Sequence, residues 1–175
     1  TALNSAVNST ASLEIRDGAV TPIGNSTEGA LLQWLAEFQI DFSRLREQHP
    51  PLYQMHFSSE RKRMTTVVEL AGETFVLVKG APELVLRSCK SYLNSAGEVG
   101  PLEDWQRAGI TEHLRNDSGA AMRTLAFAFR RLPADWPRDE DALHERREGM
   151  GDGVGFAGSV PPPDPLRPEG AQAVR

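Results

Sequence analysis

The chain has 175 residues, of which 39% are hydrophobic and 25% charged, with a formal net charge of −5 and a single cysteine, Cys89. This length fits one domain, and no apolar run approaches the roughly 20 residues a membrane-spanning helix needs. One thiol excludes a disulfide framework and a cysteine-rich zinc site, the opening TALNSAVNST has no signal-peptide character, and an acidic balance argues against broad nucleic-acid binding.

In chain order, the first dozen residues are weakly helical. LEIRDGAV alternates and contains Asp17-Gly18, which reads as a strand edge and a turn. Residues 27 to 38 carry Ala30, Leu31, Trp34, Leu35 and Phe38 at helical spacing, with Ser26 or Thr27 available as the cap. A second short helix is predicted over 43–48, ending before Pro50-Pro51. The period then changes. LYQMHF, MTTVVEL and TFVLVK are β-rich, and Ala71-Gly72-Glu73 is a plausible hairpin connection between the last two. Pro82 opens a helix, PELVLRSC, at the position where proline is tolerated. A helix is expected over 103–119. MRTLAFAFRRL places Leu125, Phe127 and Phe129 on one face and Ala126 and Ala128 on the other, the pattern of a strand covered on both faces. A charged helix over 139–148 and a strand over 154–160 follow. PPPDPLRPEG is a stiff linker. The order does not alternate strictly, so the expected class is α/β (α+β), with a mixed, mainly antiparallel sheet flanked by helices.

Several chemistries lack their patterns. No G-x-x-x-x-G-K-[ST] loop occurs, Gly149, Gly151, Gly153 and Gly155 are followed by no helix pattern, no serine sits in G-x-S-x-G, and His49, His56, His113 and His144 have no metal-ligand spacing. The expectation is no catalytic group and no metal site.

Three stretches retain chemical interest. Phe57 is followed within six residues by Arg61, Lys62 and Arg63. It can stack on a purine beside a mobile cation, or be a core residue before a solvated turn. Lys79 ends a buried strand before Gly80, Ala81 and Pro82. It can contact a ligand, with the small residues allowing close backbone approach, or snorkel from the strand end. Arg123, with Arg130-Arg131 at the far end of its strand, can hold a phosphate or pair with a carboxylate such as Glu28.

Together these stretches resemble the nucleotide-binding domain of P-type cation-transporting ATPases. The family's pieces stand in order: Gly24-Asn25-Ser26-Thr27-Glu28-Gly29-Ala30-Leu31, then Phe57-Ser58-Ser59-Glu60-Arg61-Lys62-Arg63-Met64, then Lys79-Gly80-Ala81-Pro82-Glu83, then Met122-Arg123-Thr124-Leu125-Ala126, then Asp164-Pro165-Leu166-Arg167-Pro168-Glu169. The flavour is that of the calcium-pump branch, with sodium/potassium, proton and magnesium pumps as the alternatives. A non-enzymatic interaction domain or a free-standing ATP-binding regulator are the other readings.

The resemblance implies roles residue by residue. Phe57 would stack on adenine, Lys62 would stand beside the triphosphate, and Lys79 would line the adenine pocket with Gly80 and Ala81 as its wall. Glu28 would lie near the adenine amino group, Arg123 would reach the phosphates, and Leu125 would pack on the base. Ser59 stands where some calcium pumps carry a phosphate-contacting arginine, so Arg61 or Arg63 is expected to substitute. The resemblance further implies ATP with Mg²⁺, a nucleotide-binding unit over 1–160 with a hinge over 161–175, phosphorylation and actuator domains of the same chain as partners, and a cytoplasmic position without membrane contact in an integral membrane protein. No D-K-T-G-T occurs, so this segment is expected to bind ATP, at roughly sub-millimolar to millimolar Kd, without turnover.

Overall fold

The computed structural model describes residues 1–16, 19–118 and 124–161. In chain order the elements are α1 (Ala2–Val7), β1 (Ser12–Arg16), β2 (Ala19–Ile23), α2 (Ser26–Glu37), α3 (Phe42–Gln48), β3 (Tyr53–Met55), β4 (Arg63–Leu70), β5 (Glu73–Gly80), α4 (Pro82–Ser88), β6 (Cys89–Leu93), β7 (Val99–Pro101), α5 (Asp104–Ser118), β8 (Leu125–Arg131), α6 (Glu140–Glu145) and β9 (Val154–Val160). β1 and β2 form a separate antiparallel pair. The other strands make a seven-stranded sheet in the order β3-β4-β5-β8-β9-β6-β7. Every pairing in it is antiparallel except β6 with β9. The mixed, mainly antiparallel sheet flanked by helices is therefore as expected.

The β4–β5 hairpin is the backbone of the sheet. Leu70 pairs with Glu73, so the connection is the two residues Ala71 and Gly72, both at positive φ (50° and 81°). That combination matches the right-handed twist of the flanking strands. Side chains alternate across β5: Val76 and Val78 belong to one core, Leu77 to the other. The first core takes Val85 and Leu86 of α4, Leu114 of α5 and Leu143 of α6. The second takes Ala6 and Val7 of α1 with Leu32 and Leu35 of α2. In β8, Ala126 and Ala128 join the first core and Phe129 packs against the second, so both faces are covered as the alternation predicts.

Three expectations are corrected. Asn25 caps α2, its side-chain oxygen accepting from the Thr27 and Glu28 amides, in place of Ser26 or Thr27. The apolar face of that helix is centred on Leu31, Leu32 and Leu35, and Phe38 is 63% exposed, its ring tilted against Trp34 with centroids 5.2 Å apart. Cys89 leaves the α4 helix to start β6, which with β7 forms a hairpin that sequence reasoning missed. The predicted Asp17-Gly18 turn, and the hinge expectation from 162 onward, lie outside the described residues. Among the described residues no helix is long and apolar enough to cross a membrane.

A polar network ties α1 to the sheet. The Asn4 amide donates to the carbonyls of Val78 (3.0 Å) and Ala128 (3.1 Å). Asn8 donates to Asn4 Oδ1, Met64 O and Leu77 O, and accepts from Thr66 Oγ1 at 2.7 Å. These bonds satisfy amides that would otherwise be costly to bury.

Candidate functional site

The ends of β5 and β8, the start of α2 and the β3–β4 loop converge on one open groove of about 640 Å³. Glu28, Phe57, Lys62, Lys79, Gly80, Ala81 and Leu125 all line it, so seven of the nine residues singled out in the sequence come together. Ser59 is exposed in the turn after Phe57 and is not a lining residue. Arg123 lies outside the described residues. Asn25, Thr27, Pro82 and Thr124 also line the groove. They belong to the same motifs but were not given roles, because nothing in their type marks them apart from their neighbours.

Phe57 is 56% exposed on the groove rim, unusual for a large aromatic side chain that could have been buried. The core alternative for this residue is thereby corrected. Lys62, exposed beside it, adopts φ = 47°, a left-handed conformation that costs a non-glycine residue energy. Two backbone bonds hold it there: its amide donates to Ser58 O (2.7 Å), and its carbonyl accepts from the Ala81 amide (3.0 Å). The second bond seals the Lys62 loop to the opposite wall, which is possible because residue 80 is glycine. A Cβ on Gly80 would stand 2.4 Å from Lys62 O and 2.7 Å from Arg63 Cα.

Arg61 and Arg63 do not line the groove in place of the arginine that Ser59 replaces. Arg61 folds back, donating to Ser58 Oγ, Met55 Sδ and His56 O. Arg63 turns to Ser88 Oγ and Asp152 across the glycine-containing turn before β9. Both guanidiniums are spent on fixing loops. At the far end of β8, Arg130 donates to Met150 O and Arg131 pairs with Glu73 at 2.6 Å.

Lys79 is not a snorkelling end residue. It is 4% exposed, and its Nζ stands 2.7 Å from Glu28 Oε1. The other oxygen, Oε2, accepts from Ser9 Oγ (3.1 Å), the Thr10 amide (2.9 Å), Thr10 Oγ1 (3.1 Å) and the Ala11 amide (3.2 Å). Burial pushes the Glu28 carboxyl up, but the Lys79 ammonium and the Thr10 donors outweigh it and hold the group below the usual carboxylate range. Burial pushes Lys79 down, Glu28 opposes this, and nearby Arg46 adds to the lowering. Glu28 reaches this position because α2 starts close to β2. A Cβ on Gly29 would fall 2.3 Å from Pro22 Cβ.

An ammonium has three N–H donors, and the ion pair engages one side of it. Beyond Glu28 Oε1, no acceptor meets Lys79 Nζ among the described residues, and Thr124 Oγ1 has no hydrogen-bond partner there. The groove therefore offers one exposed aromatic face, apolar walls at Ala81, Pro82 and Leu125, a buried ammonium with donor capacity to spare, and the exposed Lys62 cation. Such a site can accept a flat heteroaromatic ring carrying an anionic tail.

The family model of the P-type ATPase cytoplasmic domain N matches residues 1–169. The chain belongs to this family. Its N-domain relatives include calcium-transporting ATPase PAT1 of Dictyostelium discoideum, 34% identical over 157 residues (90% of this chain, 13% of that protein). Human plasma membrane calcium-transporting ATPase 3 is 34% identical over 166 residues (91% and 13%). Plasma membrane-type calcium-transporting ATPase 8 of Arabidopsis thaliana is 34% identical over 131 residues (73% and 12%). The N domain described here thus spans about an eighth of the length of these relatives (13% of the first).

Proposed function

We propose that this N domain binds ATP in the groove, with adenine stacked on Phe57 and the triphosphate running past Lys62 towards Arg123. The observation that carries this reading is the exposed Phe57 ring beside a buried ammonium that still has hydrogen-bonding capacity. Lys79 would donate to a ring nitrogen, Gly80, Ala81 and Leu125 would enclose the base, and Glu28 would act from behind Lys79. With Oε2 taken by four donors, Glu28 has only Oε1 to offer the adenine amino group. Ser59 would touch the phosphates only through solvent.

In the family's terms, residues 1–160 would form the binding unit and 161–175 the hinge. The domain would present the γ-phosphate to a carboxylate on a phosphorylation domain of the same chain, with an actuator domain as further partner and Mg²⁺ neutralising the developing charge. Mg²⁺ would arrive on the triphosphate. The names of the relatives support calcium as the transported ion and a membrane protein as its carrier, and the family's description, cytoplasmic domain N, supports a cytoplasmic site. The test is an ATP titration of the 175-residue chain followed by NMR. Phe57→Ala should weaken ATP and ADP about 5- to 150-fold, the worth of one stacked base. Unchanged affinity would refute the stacking role.

A further inference from the structure

We propose that the segment Asn8–Ala11 is the positioning element of the groove: by fixing Oε2 of Glu28 it determines, through Oε1, where the Lys79 ammonium stands. The inference rests on the nucleotide reading above and adds Ser9 and Thr10 as positioning residues that touch no ligand.

The geometry is a relay of short contacts. Two hydroxyls and two backbone amides from three consecutive residues close on one carboxylate oxygen. Backbone donors cannot rotate away, so Oε2 has one place to be, and the carboxylate plane then sets Oε1 and the Lys79 contact at 2.7 Å. The segment is itself immobilised. Asn8 holds Leu77 O, two residues before Lys79 on the same strand, and Met64 O on the neighbouring strand. The clamp and the lysine are therefore mounted on one rigid piece of sheet. The two Asn-Ser-Thr triplets of the sequence, 8–10 and 25–27, both bond to Glu28. The first supplies donors to its side chain, and Asn25 of the second caps its backbone amide. The charged groups that bear on Glu28 are Lys79 and Arg46. A buried lysine–glutamate pair is weak evidence for stability, since apolar residues of similar volume do as well. Its placement on a groove wall, with N–H capacity unspent, points to positioning.

The test is a set of double-mutant cycles on the 175-residue chain, titrated with ATP. Ser9→Ala and Thr10→Val are each measured with Lys79 present and in a Lys79→Met background. With Lys79 present, each should weaken ATP about three- to tenfold, while Thr10→Ser, which keeps the hydroxyl, should retain full affinity. In the Lys79→Met background both substitutions should be silent. Weakening of equal size in both backgrounds would mean a general scaffold effect and overturn the proposal, as would unchanged affinity with Lys79 present. If Thr10→Val fails to fold, Ser9→Ala alone carries the cycle, because every Thr10 donor remains. ATP binding that ignores Phe57 and Lys79 would sink the nucleotide reading itself. Binding that needs both but ignores Ser9 and Thr10 overturns only the positioning claim.

Discussion

Replacing Glu28 by glutamine changes one atom's chemistry and almost no volume, yet the structure predicts a large loss of stability. A glutamine has a single acceptor oxygen. Turned towards Ser9, Thr10 and Ala11, it would aim its NH₂ at the Lys79 ammonium, donor against donor. Turned towards Lys79, it would aim NH₂ at the Thr10 and Ala11 amides, which cannot reverse to become acceptors. Either rotamer leaves Lys79 as a buried charge without its counter-ion. Removing one partner of a buried pair costs about 3–5 kcal/mol. For a domain of this size, 1 kcal/mol moves Tm by about 2–4 °C, so Glu28→Gln should melt roughly 6–20 °C early. A second variant separates the cause: in Glu28→Gln combined with Lys79→Met the stranded charge is gone, and much of the loss should be recovered. Thermal melts with matched urea titrations read both. A Glu28→Gln protein melting within about 2 °C of wild type, or a double variant no better than the single, would refute the reasoning.

Gly80→Ala should destabilise by about 1–3 kcal/mol and weaken ATP, because the new Cβ would collide with Lys62 O and break the seal between the groove walls; denaturant midpoints and the same titration check it. The Glu28 carboxyl is held below its unfolded value, so its contribution is full above the unfolded pKa near 4.3 and is lost as pH falls through the lower folded value. Urea midpoints across that window should fall with acid, and Glu28→Gln should show a shallower slope. Burial pushes the Cys89 thiol up to about 12, so alkylation near neutral pH should be negligible in the folded chain and rapid in urea, as mass spectrometry would show.

What the sequence made legible was whatever local pattern controls. The β4–β5 hairpin, α2 and the Lys79–Pro82 strand-to-helix turn followed from periodicity and punctuation, and ordered motifs brought seven groove residues into one reading. The β6–β7 hairpin was hidden because Lys90 and Ser91 interrupt any apolar alternation, and β6 owes its place to β9, more than sixty positions downstream. The Asn25 cap was missed by one position because Ser26 and Thr27 are equally good capping types. The fates of Arg61 and Arg63 could not be read at all. A guanidinium's partner is chosen by tertiary geometry, and their partners include Met55 Sδ and Asp152. The same holds for the four donors on Glu28, which come from a segment whose sequence speaks only of weak helicity.

The Asn4 amide bridges strands whose carbonyls belong to residues 78 and 128, the latter 124 positions away. The berth of α1 is therefore complete only once β8 has paired with β5. Ala6 and Val7 can rest on Val68 and Leu77 of the β4–β5 hairpin before then, but the second Asn4 bond waits for β8, so the full docking of α1 is a late, long-range closure in the order of folding.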